Sequence, residues 1–434
     1  MESAVLAPSD VAPDRRLFGW QVRIFSLLWL AYASYYLCRL NFAAAQPAIL
    51  KDFPSWTDAD IGGIPSTYAA IYAVGQFVNG QLATRLGTRR MMTIAMVVVA
   101  AANLGFSQTT AYWQMLVCWG LNGWAQSAGW SLVVGTMAAW TPVKRRGMVI
   151  GLLSTCYMIG NVVAWLLAGS LAQHYGWRWV FAVPGMLVLP VGAAFGLFLR
   201  NRPEDAGLPP VAAPPEAKPG SPAPTEELSA AQVLRMTLSN RVLWVLAVAF
   251  FCSNAVRYAF MNWSIQYLAK FQGESVGNSA FKAVALPLIG AFGAISAGWA
   301  SDALFHGRRA PLSAVMLFAL SSVCVVFALV PQGHPLLAMT LLGVSGFLIY
   351  GPDMLMSGAA TVDFSHPRAA TAATGLTMSA GALGAVFSGA GVGWVLDRAH
   401  GQWSVAFYVL AGLALVPALM MTTLWNAKPK AAKS

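Results

Sequence analysis

The sequence predicts an all-α membrane protein whose twelve transmembrane helices form two pseudo-symmetric six-helix halves. Three observations predict this class: the composition, the number of long apolar segments and an internal repeat. The chain has 434 residues, of which 57% are hydrophobic and 10% charged, and its mean hydropathy is +0.60. A soluble domain carries about 25% charged residues. This chain therefore has too few charges to cover its surface against water.

Twelve apolar segments are long enough to cross a bilayer, which takes about 20 helical residues. The predicted spans are residues 19–45, 61–84, 91–108, 113–139, 147–172, 178–199, 241–268, 278–302, 311–331, 336–361, 371–395 and 404–425. They divide the chain into a first half, 19–199, and a second half, 241–425, followed by a tail at 426–434. The segment 200–240 between the halves is rich in proline and charge, which predicts a flexible linker. Residues 1–18 are too polar for a cleavable signal peptide.

Basic residues predict the orientation, because cytoplasmic loops carry an excess of lysine and arginine. One set of loops, together with the termini and the linker, holds Arg15, Arg16, Arg85, Arg89, Arg90, Lys144, Arg145, Arg146, Arg200, Arg202, Lys218, Arg235, Arg241, Arg308, Arg309, Arg368, Lys428, Lys430 and Lys433. The opposite set holds Lys51, Arg178, Lys270 and Arg398. Both termini and the linker are therefore expected on the cytoplasmic side of the cell inner membrane. Topology also explains the net charge of +11, so no nucleic-acid partner is expected.

The two halves share a repeat that relates two unusual arginines. The stretch "GQLATRLGTRR" begins at Gly80, and "GWASDALFHGRR" begins 218 residues later at Gly298. The same spacing relates Arg39, the one formal charge in residues 24–42, to Arg257. Each follows another arginine by sixteen residues, about 24 Å of helix, so both are predicted well inside the bilayer. Internal repeats place a shared binding site near the midplane.

A fixed charge inside a membrane span is costly and by default marks a functional site. Guanidinium stays protonated, and its planar donor fork suits two phosphate oxygens at once. Arg39 and Arg257 facing one cavity would neutralise a dianion. The alternative is that each arginine pairs with a buried carboxylate. Asp353 is the one acid clearly inside a span, so one such pair is possible and two are not.

Asp353, in the stretch "YGPDML", has three possible roles that the sequence leaves open. It could carry a proton, or it could bind a cationic group on the substrate, such as an amine. It could also be the counter-ion of Arg257 or Arg39 when the carrier is empty.

The arrangement resembles the major facilitator superfamily and, within it, the organophosphate:phosphate antiporters. The stretch "YYLCRLNF" at 35–42 is similar to their first span, and "GLNGWAQSAGW" at 120–130 resembles the fourth span of glucose-6-phosphate transporters. The stretches "RYAFMNWSIQYL" at 257–268, "GFLIYGP" at 346–352 and "AATAATGLTMSAGALGA" resemble spans seven, ten and eleven of glycerol-3-phosphate antiporters. Hexose-phosphate transporters belong to the same family. The first-half loop has Thr84 where the superfamily usually has aspartate, whereas the second half keeps Asp302.

The resemblance implies that Arg39 and Arg257 clasp the substrate phosphate. Several positions depart from the family pattern: family lysines correspond to Leu40 and Gln76, a histidine aligns near Tyr157, and an aspartate and a glutamate correspond to Asn262 and Pro287. The pocket has thus lost charges of both signs. The identity of the substrate therefore cannot be inherited from any member of the family.

Other polar residues of the spans are candidates for donors to phosphate or to substrate hydroxyls, although such residues often bond a neighbouring helix instead. The substrate-binding candidates beside the arginines and Asp353 are Tyr35, Tyr36, Gln76, Gln126, Tyr157, Tyr258, Asn262 and Trp263. All five cysteines lie in apolar spans without metal-ligand spacing, so free thiols are expected and no metal or cofactor. No nucleophile, base and third group share a plausible pocket, so an enzyme is not expected.

We expect a monomeric carrier that exchanges a small phosphorylated organic anion for inorganic phosphate by alternating access. One alternative is a proton-coupled symporter of a phosphonate or another small organic anion. Another is a membrane sensor of an organophosphate.

Overall fold

The computed structural model describes residues 15–211, 235–305, 308–356 and 370–426, and the chain is helical almost throughout these ranges. The end of the predicted span 336–361, most of the predicted linker and both terminal segments lie outside the described residues. The helices of the first half are α1 (Arg15–Leu37), α2 (Asn41–Asp52), α3 (Asp58–Ser107), α4 (Tyr112–Gln126), α5 (Gly129–Trp140), α6 (Val143–Leu153), α7 (Thr155–His174) and α8 (Trp177–Phe198).

The second half repeats this pattern with fewer interrupted crossings among the described residues. They are α9 (Arg241–Gln266), continued by a π-turn at Tyr267–Phe271, then α10 (Val276–Ala283), α11 (Ala285–Ala303), α12 (Arg309–Ala328), α13 (Pro335–Met354), α14 (Ala370–Arg398) and α15 (Trp403–Thr423). The pairs α1–α2, α4–α5, α6–α7 and α10–α11 each make one crossing, and α3 makes two. The described helices thus supply the twelve crossings of the predicted fold.

Nine helices in the described ranges are long and apolar enough to cross a membrane by length and composition. The other three crossings are those predicted at 19–45, 61–84 and 113–139. The first is interrupted between α1 and α2, and the third between α4 and α5. The second, the first arm of α3, carries tyrosine, glutamine and asparagine side chains. These three polar or interrupted crossings belong to the first half, and all contribute to the cavity described below.

The two arms of α3 meet at Gly87, whose φ of 73° is in the left-handed region that favours glycine. A side chain here would also approach Asn201, whose amide nitrogen would lie 2.9 Å from the added carbon. Asn201 in turn accepts a hydrogen bond from the backbone N–H of Arg89 at 2.8 Å. The turn between the second and third crossings is therefore held by the segment that follows α8.

The short helix α2 is anchored in an aromatic cluster of the first half. The Phe42 ring lies 5.4 Å from Trp119 of α4 and 6.1 Å from Phe106 of α3, measured between ring centres. Phe106 packs at 4.1 Å against Phe181 of α8. Close packing of these rings stabilises the position of α2, because van der Waals packing is a main contribution to helix association inside a bilayer.

The two halves are hydrogen-bonded to each other at the end where α3 begins and α14 ends. The Asp397 carboxylate accepts from the backbone N–H of Asp58 at 2.9 Å and of Ala59 at 2.8 Å. The Asp58 carboxylate accepts from Gln266 at 2.8 Å and contacts Lys270 at 3.4 Å. We call this set the Asp58–Asp397 junction. The sequence predicts that this end faces the periplasm.

Small residues allow α3 and α14 to approach closely beside that junction. Gly62 and Gly389 face each other so closely that an added carbon on either would meet the other's backbone carbonyl. Ser66 donates to the carbonyl of Val386 at 2.5 Å and accepts from the backbone N–H of Ala390 at 2.8 Å. Because the two glycines carry no side chains, the helices lie close enough for the Ser66 hydroxyl of α3 to bond the backbone of α14 in the other half.

Candidate functional site

Arg39 lies in a break between two helices rather than within a continuous one. The helical pattern of α1 ends at Leu37, and the N–H groups of Cys38 and Arg39 bond back three residues, to Tyr35 and Tyr36, at 3.1 and 3.2 Å. The carbonyl of Cys38 accepts from the Asn122 side chain of α4 at 2.6 Å. Because an unpaired buried carbonyl costs free energy, this bond compensates the break.

Asn122 is one member of a buried amide network behind Arg39. Its side-chain oxygen accepts from Gln126 at 2.9 Å, and Gln126 accepts from the Tyr68 hydroxyl at 3.2 Å. Asn41, the first residue of α2, donates to Asn103 at 3.1 Å and to the carbonyl of Val180 at 3.0 Å. The network thus ties the arginine-bearing break to the helices around it.

Three tyrosine rings surround the Arg39 guanidinium. Its central carbon lies 4.8 Å from the ring centre of Tyr72, 5.5 Å from Tyr68 and 5.6 Å from Tyr36. A cation over an aromatic face gains about 0.5–2 kcal/mol, the larger value where water is excluded. No carboxylate in the described parts of the chain forms an ion pair with Arg39. Its charge is held by ring faces and stays available to an anion.

Arg257 lies in the middle of the continuous helix α9 and has a different environment. Its Nη1 donates to Oδ2 of Asp353, on α13, at 2.8 Å. The rings of Tyr258 and Tyr350 lie 5.1 and 5.2 Å from its central carbon. Of the three roles left open for Asp353, the structure therefore shows the counter-ion contact with Arg257. The repeat places both arginines at matching positions, but only one of them has an acidic neighbour among the described residues.

One cavity of about 390 Å³ is lined by both arginines and by side chains from both halves. It brings together eight of the sequence-predicted residues: Arg39, Arg257, Tyr36, Gln76, Tyr157, Tyr258, Asn262 and Asp353. Asn262 also donates to the Ser388 hydroxyl of α14 at 3.2 Å. Asp353 is the single carboxylate among the described lining residues.

Three predicted residues do not line the cavity. Tyr35 is 1% exposed and packs beside Tyr32 and against Gly129 of α5. Gln126 is 2% exposed and lies behind Tyr68 in the amide network, so it supports the site without reaching the cavity. Trp263 is 3% exposed, and its indole donates to the backbone carbonyl of Ser388 at 2.9 Å. None of the three side chains reaches the cavity in this structure, and the polar groups of Gln126 and Trp263 bond neighbouring helices instead.

Sequence reasoning missed several aromatic lining residues: Tyr32, Tyr68, Tyr72, Trp130 and Tyr350. Tyr68 and Tyr72 are four residues apart on α3, as Tyr32 and Tyr36 are on α1, so each pair lies on one helix face. That spacing is a signal, but it also occurs in ordinary packing. It becomes informative once the arginine is known to lie between the two helices.

Comparison with known proteins assigns the chain to a family. The model of the Major Facilitator Superfamily matches residues 28–389. The chain belongs to the Major Facilitator Superfamily. It is a multi-pass membrane protein of a transporter superfamily, as the fold class predicted from the sequence requires.

Proteins that are similar to this chain over nearly its full length include several named after phosphorylated compounds. A probable hexose phosphate transport protein of Chlamydia pneumoniae is 31% identical, with 96% of this chain and 93% of that protein covered. The membrane sensor protein UhpC of Salmonella typhimurium is also 31% identical, with 96% and 94% covered. A glycerol-3-phosphate transporter of Bacillus subtilis is 29% identical, with 95% and 94% covered. The resemblance drawn from the sequence motifs is thereby confirmed.

A solved structure supports the fold independently. An inward-facing, unoccupied bacterial homologue of the human lysosomal transporter Spinster superposes with a TM-score of 0.73 at 16% identity, over 94% of this chain and 96% of that one. At this identity the likeness concerns the fold alone.

Proposed function

We propose that the protein is a secondary transporter that exchanges a small organophosphate for inorganic phosphate, with the phosphate held between Arg39 and Arg257. The observation that carries this proposal is one cavity lined by two arginines from opposite halves and by a single described carboxylate. The names of the hexose phosphate and glycerol-3-phosphate relatives support it.

The chemistry of the two arginines favours a phosphate ligand. Each guanidinium offers a planar set of donors that matches phosphate oxygens, and it stays protonated at any physiological pH. Reorienting the empty carrier would enclose an uncompensated Arg39 charge away from water, which is costly in a low-dielectric medium. A bound anion removes that cost. The carrier is therefore expected to reorient when loaded, which makes transport an exchange.

The same arrangement suits alternating access, in which the two halves rock about a central site. Arg39 belongs to the first half and Arg257 to the second, so an anion between them contacts both. The Asp58–Asp397 junction closes one end of the path by hydrogen bonds between the halves. We propose that this end faces the periplasm, that both termini are cytoplasmic, and that the carrier resides in the inner membrane as a monomer.

The deciding experiment is exchange of labelled phosphate in proteoliposomes that are preloaded with unlabelled phosphate. Labelled phosphate is expected to enter when phosphate is inside and to enter slowly when it is not. Entry at the same rate into phosphate-free vesicles would refute obligate exchange.

Arg39→Lys and Arg257→Lys are expected to reduce this exchange by about 10-fold to 100-fold, although charge is kept. Lysine lacks the planar fork, and a hydrogen bond to a charged group contributes about 1.5–3 kcal/mol. The matched control is Arg178→Lys, which changes an arginine outside the cavity that contacts Asp52 at 3.6 Å. Wild-type exchange in either cavity variant would remove the arginines from the binding site.

A sensor of organophosphates is the second candidate function, because one relative is named a membrane sensor at 31% identity. A sensor would bind the same anion in the same cavity without transporting it. Phosphate binding by folded, purified protein together with no exchange in vesicles would favour the sensor over the transporter.

A further inference from the structure

The cavity contains an acid that a plain phosphate clasp does not require. We infer that the organic substrate is a phosphate ester or phosphonate that also carries an ammonium group, and that this group binds beside Asp353. This inference rests on the proposed function, because it places the phosphate of that substrate between Arg39 and Arg257.

The charge of the cavity supports a ligand with one net negative charge. Two arginines and one aspartate line it, so the described lining residues carry a net charge of +1. A phosphate monoester has a second pKa of about 6 and is close to a dianion at neutral pH. A dianion alone would over-neutralise the site, whereas a phosphate monoester with one ammonium group carries a net charge of −1. Monovalent inorganic phosphate carries the same charge, so the two exchange partners match.

The geometry of the Arg257–Asp353 pair leaves one donor and one acceptor unused. The pair is joined by a single bond from Nη1 to Oδ2, rather than by the two parallel bonds of a full arginine–carboxylate fork. Arg257 Nε and Asp353 Oδ1 are both buried, and neither has a hydrogen-bond partner among the described residues. An unsatisfied buried group costs about 1–3 kcal/mol, more if charged.

A zwitterionic ligand matches both members of this pair. The Arg257 and Asp353 side chains line the cavity and are 22% and 18% exposed, so the ligand's phosphate can approach the guanidinium while its ammonium approaches the carboxylate. Rotation of the two side chains away from each other would then bring Arg257 Nε and Asp353 Oδ1 within reach of the ligand. An uncharged ligand hydroxyl could donate to Asp353 as well, but it would leave the excess negative charge of a phosphate dianion uncompensated. The two unused atoms and the charge balance thus point to the same ligand class.

Aromatic rings complete the environment of a cation near Asp353. The Tyr157 ring, from the first half, lines the same cavity as Arg257 and Asp353. Tyr157 stands 6.0 Å from Trp130 and 6.3 Å from Tyr36 between ring centres, and all three line the cavity. An ammonium between a carboxylate and ring faces gains from both.

The test compares two nearly isosteric competitors of phosphate exchange in proteoliposomes: phosphorylethanolamine, with an ammonium, and 2-hydroxyethyl phosphate, with a hydroxyl at the same place. In the wild type, the ammonium compound is expected to inhibit at a concentration at least about tenfold lower. In Asp353→Asn the ratio of the two inhibitory concentrations is expected to fall below about threefold. The control Glu204→Gln removes a carboxylate at an exposed position outside the cavity and is expected to keep the wild-type ratio.

The wild-type ratio and its loss in Asp353→Asn together decide the inference. Equal inhibition, or stronger inhibition by the hydroxyl compound, would overturn it while phosphate exchange itself upholds the proposed function. If Asp353→Asn no longer transports, the same ratio can be measured as displacement of labelled phosphate from the purified protein. An unchanged preference of Asp353→Asn for the ammonium compound would also overturn the inference. If folded wild-type protein neither binds nor exchanges phosphate, the proposed function fails first and the inference with it.

Discussion

Removing one charge from the Asp58–Asp397 junction should shift the equilibrium between two states. In one the halves are in contact at this end, and in the other they are apart. In Asp397→Asn the side chain keeps its shape but loses its charge and one of its two acceptor oxygens. The carboxylate accepts two bonds of 2.9 and 2.8 Å from the first N–H groups of α3. Each hydrogen bond to a charged group contributes about 1.5–3 kcal/mol, and an anion at a helix N-terminus adds about 0.3–1 kcal/mol.

The variant retains one neutral bond and is expected to lose at least about 2 kcal/mol of the contact between the halves. Because 1.4 kcal/mol corresponds to about a tenfold change in an equilibrium constant, states in which the two halves are apart at this end should gain at least about 30-fold in relative population. The lost bonds join α3 to α14 and therefore act on the separation of the halves. They do not act on the stability of either half by itself.

The measurement is the distance between spin labels at two exposed loop positions near this end, Ser55 and Gln332, in a cysteine-free background. The control is Asp52→Asn, whose carboxylate accepts from Trp177 at 2.7 Å within the first half. A longer distance component in Asp397→Asn, absent from the control, is the expected result. An unchanged distribution, or an equal change in the control, would refute the role of this junction.

Two further predictions concern the surroundings of Arg39. Asn122→Leu should lower the thermal stability of the purified protein and weaken phosphate binding more than tenfold. The reason is that the Cys38 carbonyl loses a buried hydrogen-bond partner, at a cost of about 1–3 kcal/mol. Wild-type binding in a stable variant would show that the break does not depend on this bond. Tyr72→Phe should keep phosphate exchange near the wild-type level, since the ring face persists, whereas Tyr72→Leu should lose the attraction of about 0.5–2 kcal/mol. Equal exchange rates in the two Tyr72 variants would contradict the stacking argument.

The positions of the two arginines could be predicted because each stands out locally. A guanidinium in an apolar span is visible without any structure, and the repeat spacing of 218 residues links Arg39 to Arg257. The same local contrast identified Asp353. Membrane spans and intramembrane charges are thus the features that composition and spacing express most directly.

The helix break at Arg39 could not be predicted, because residues 38–40 contain neither glycine nor proline. The carbonyl of Cys38 at the break is bonded by Asn122, which lies 84 residues further along the sequence. The position of Gln126 behind the cavity could not be predicted for a related reason, since its amide group bonds Asn122 and Tyr68. Whether a polar side chain faces a cavity or a neighbouring helix depends on rotations that a single sequence does not reveal.

The dependence of the break on a later helix has a consequence for biogenesis. During synthesis the segment that holds Arg39 enters the membrane before α4 has been made, so the Cys38 carbonyl has no amide to bond. In lipid an unpaired carbonyl is strongly disfavoured, so the nascent first crossing should favour an unbroken helix. The break then forms when α4 inserts and Asn122 arrives. The proposed anion site should therefore be assembled only after insertion begins, and a chain truncated before α4 should lack it even though it already carries Arg39.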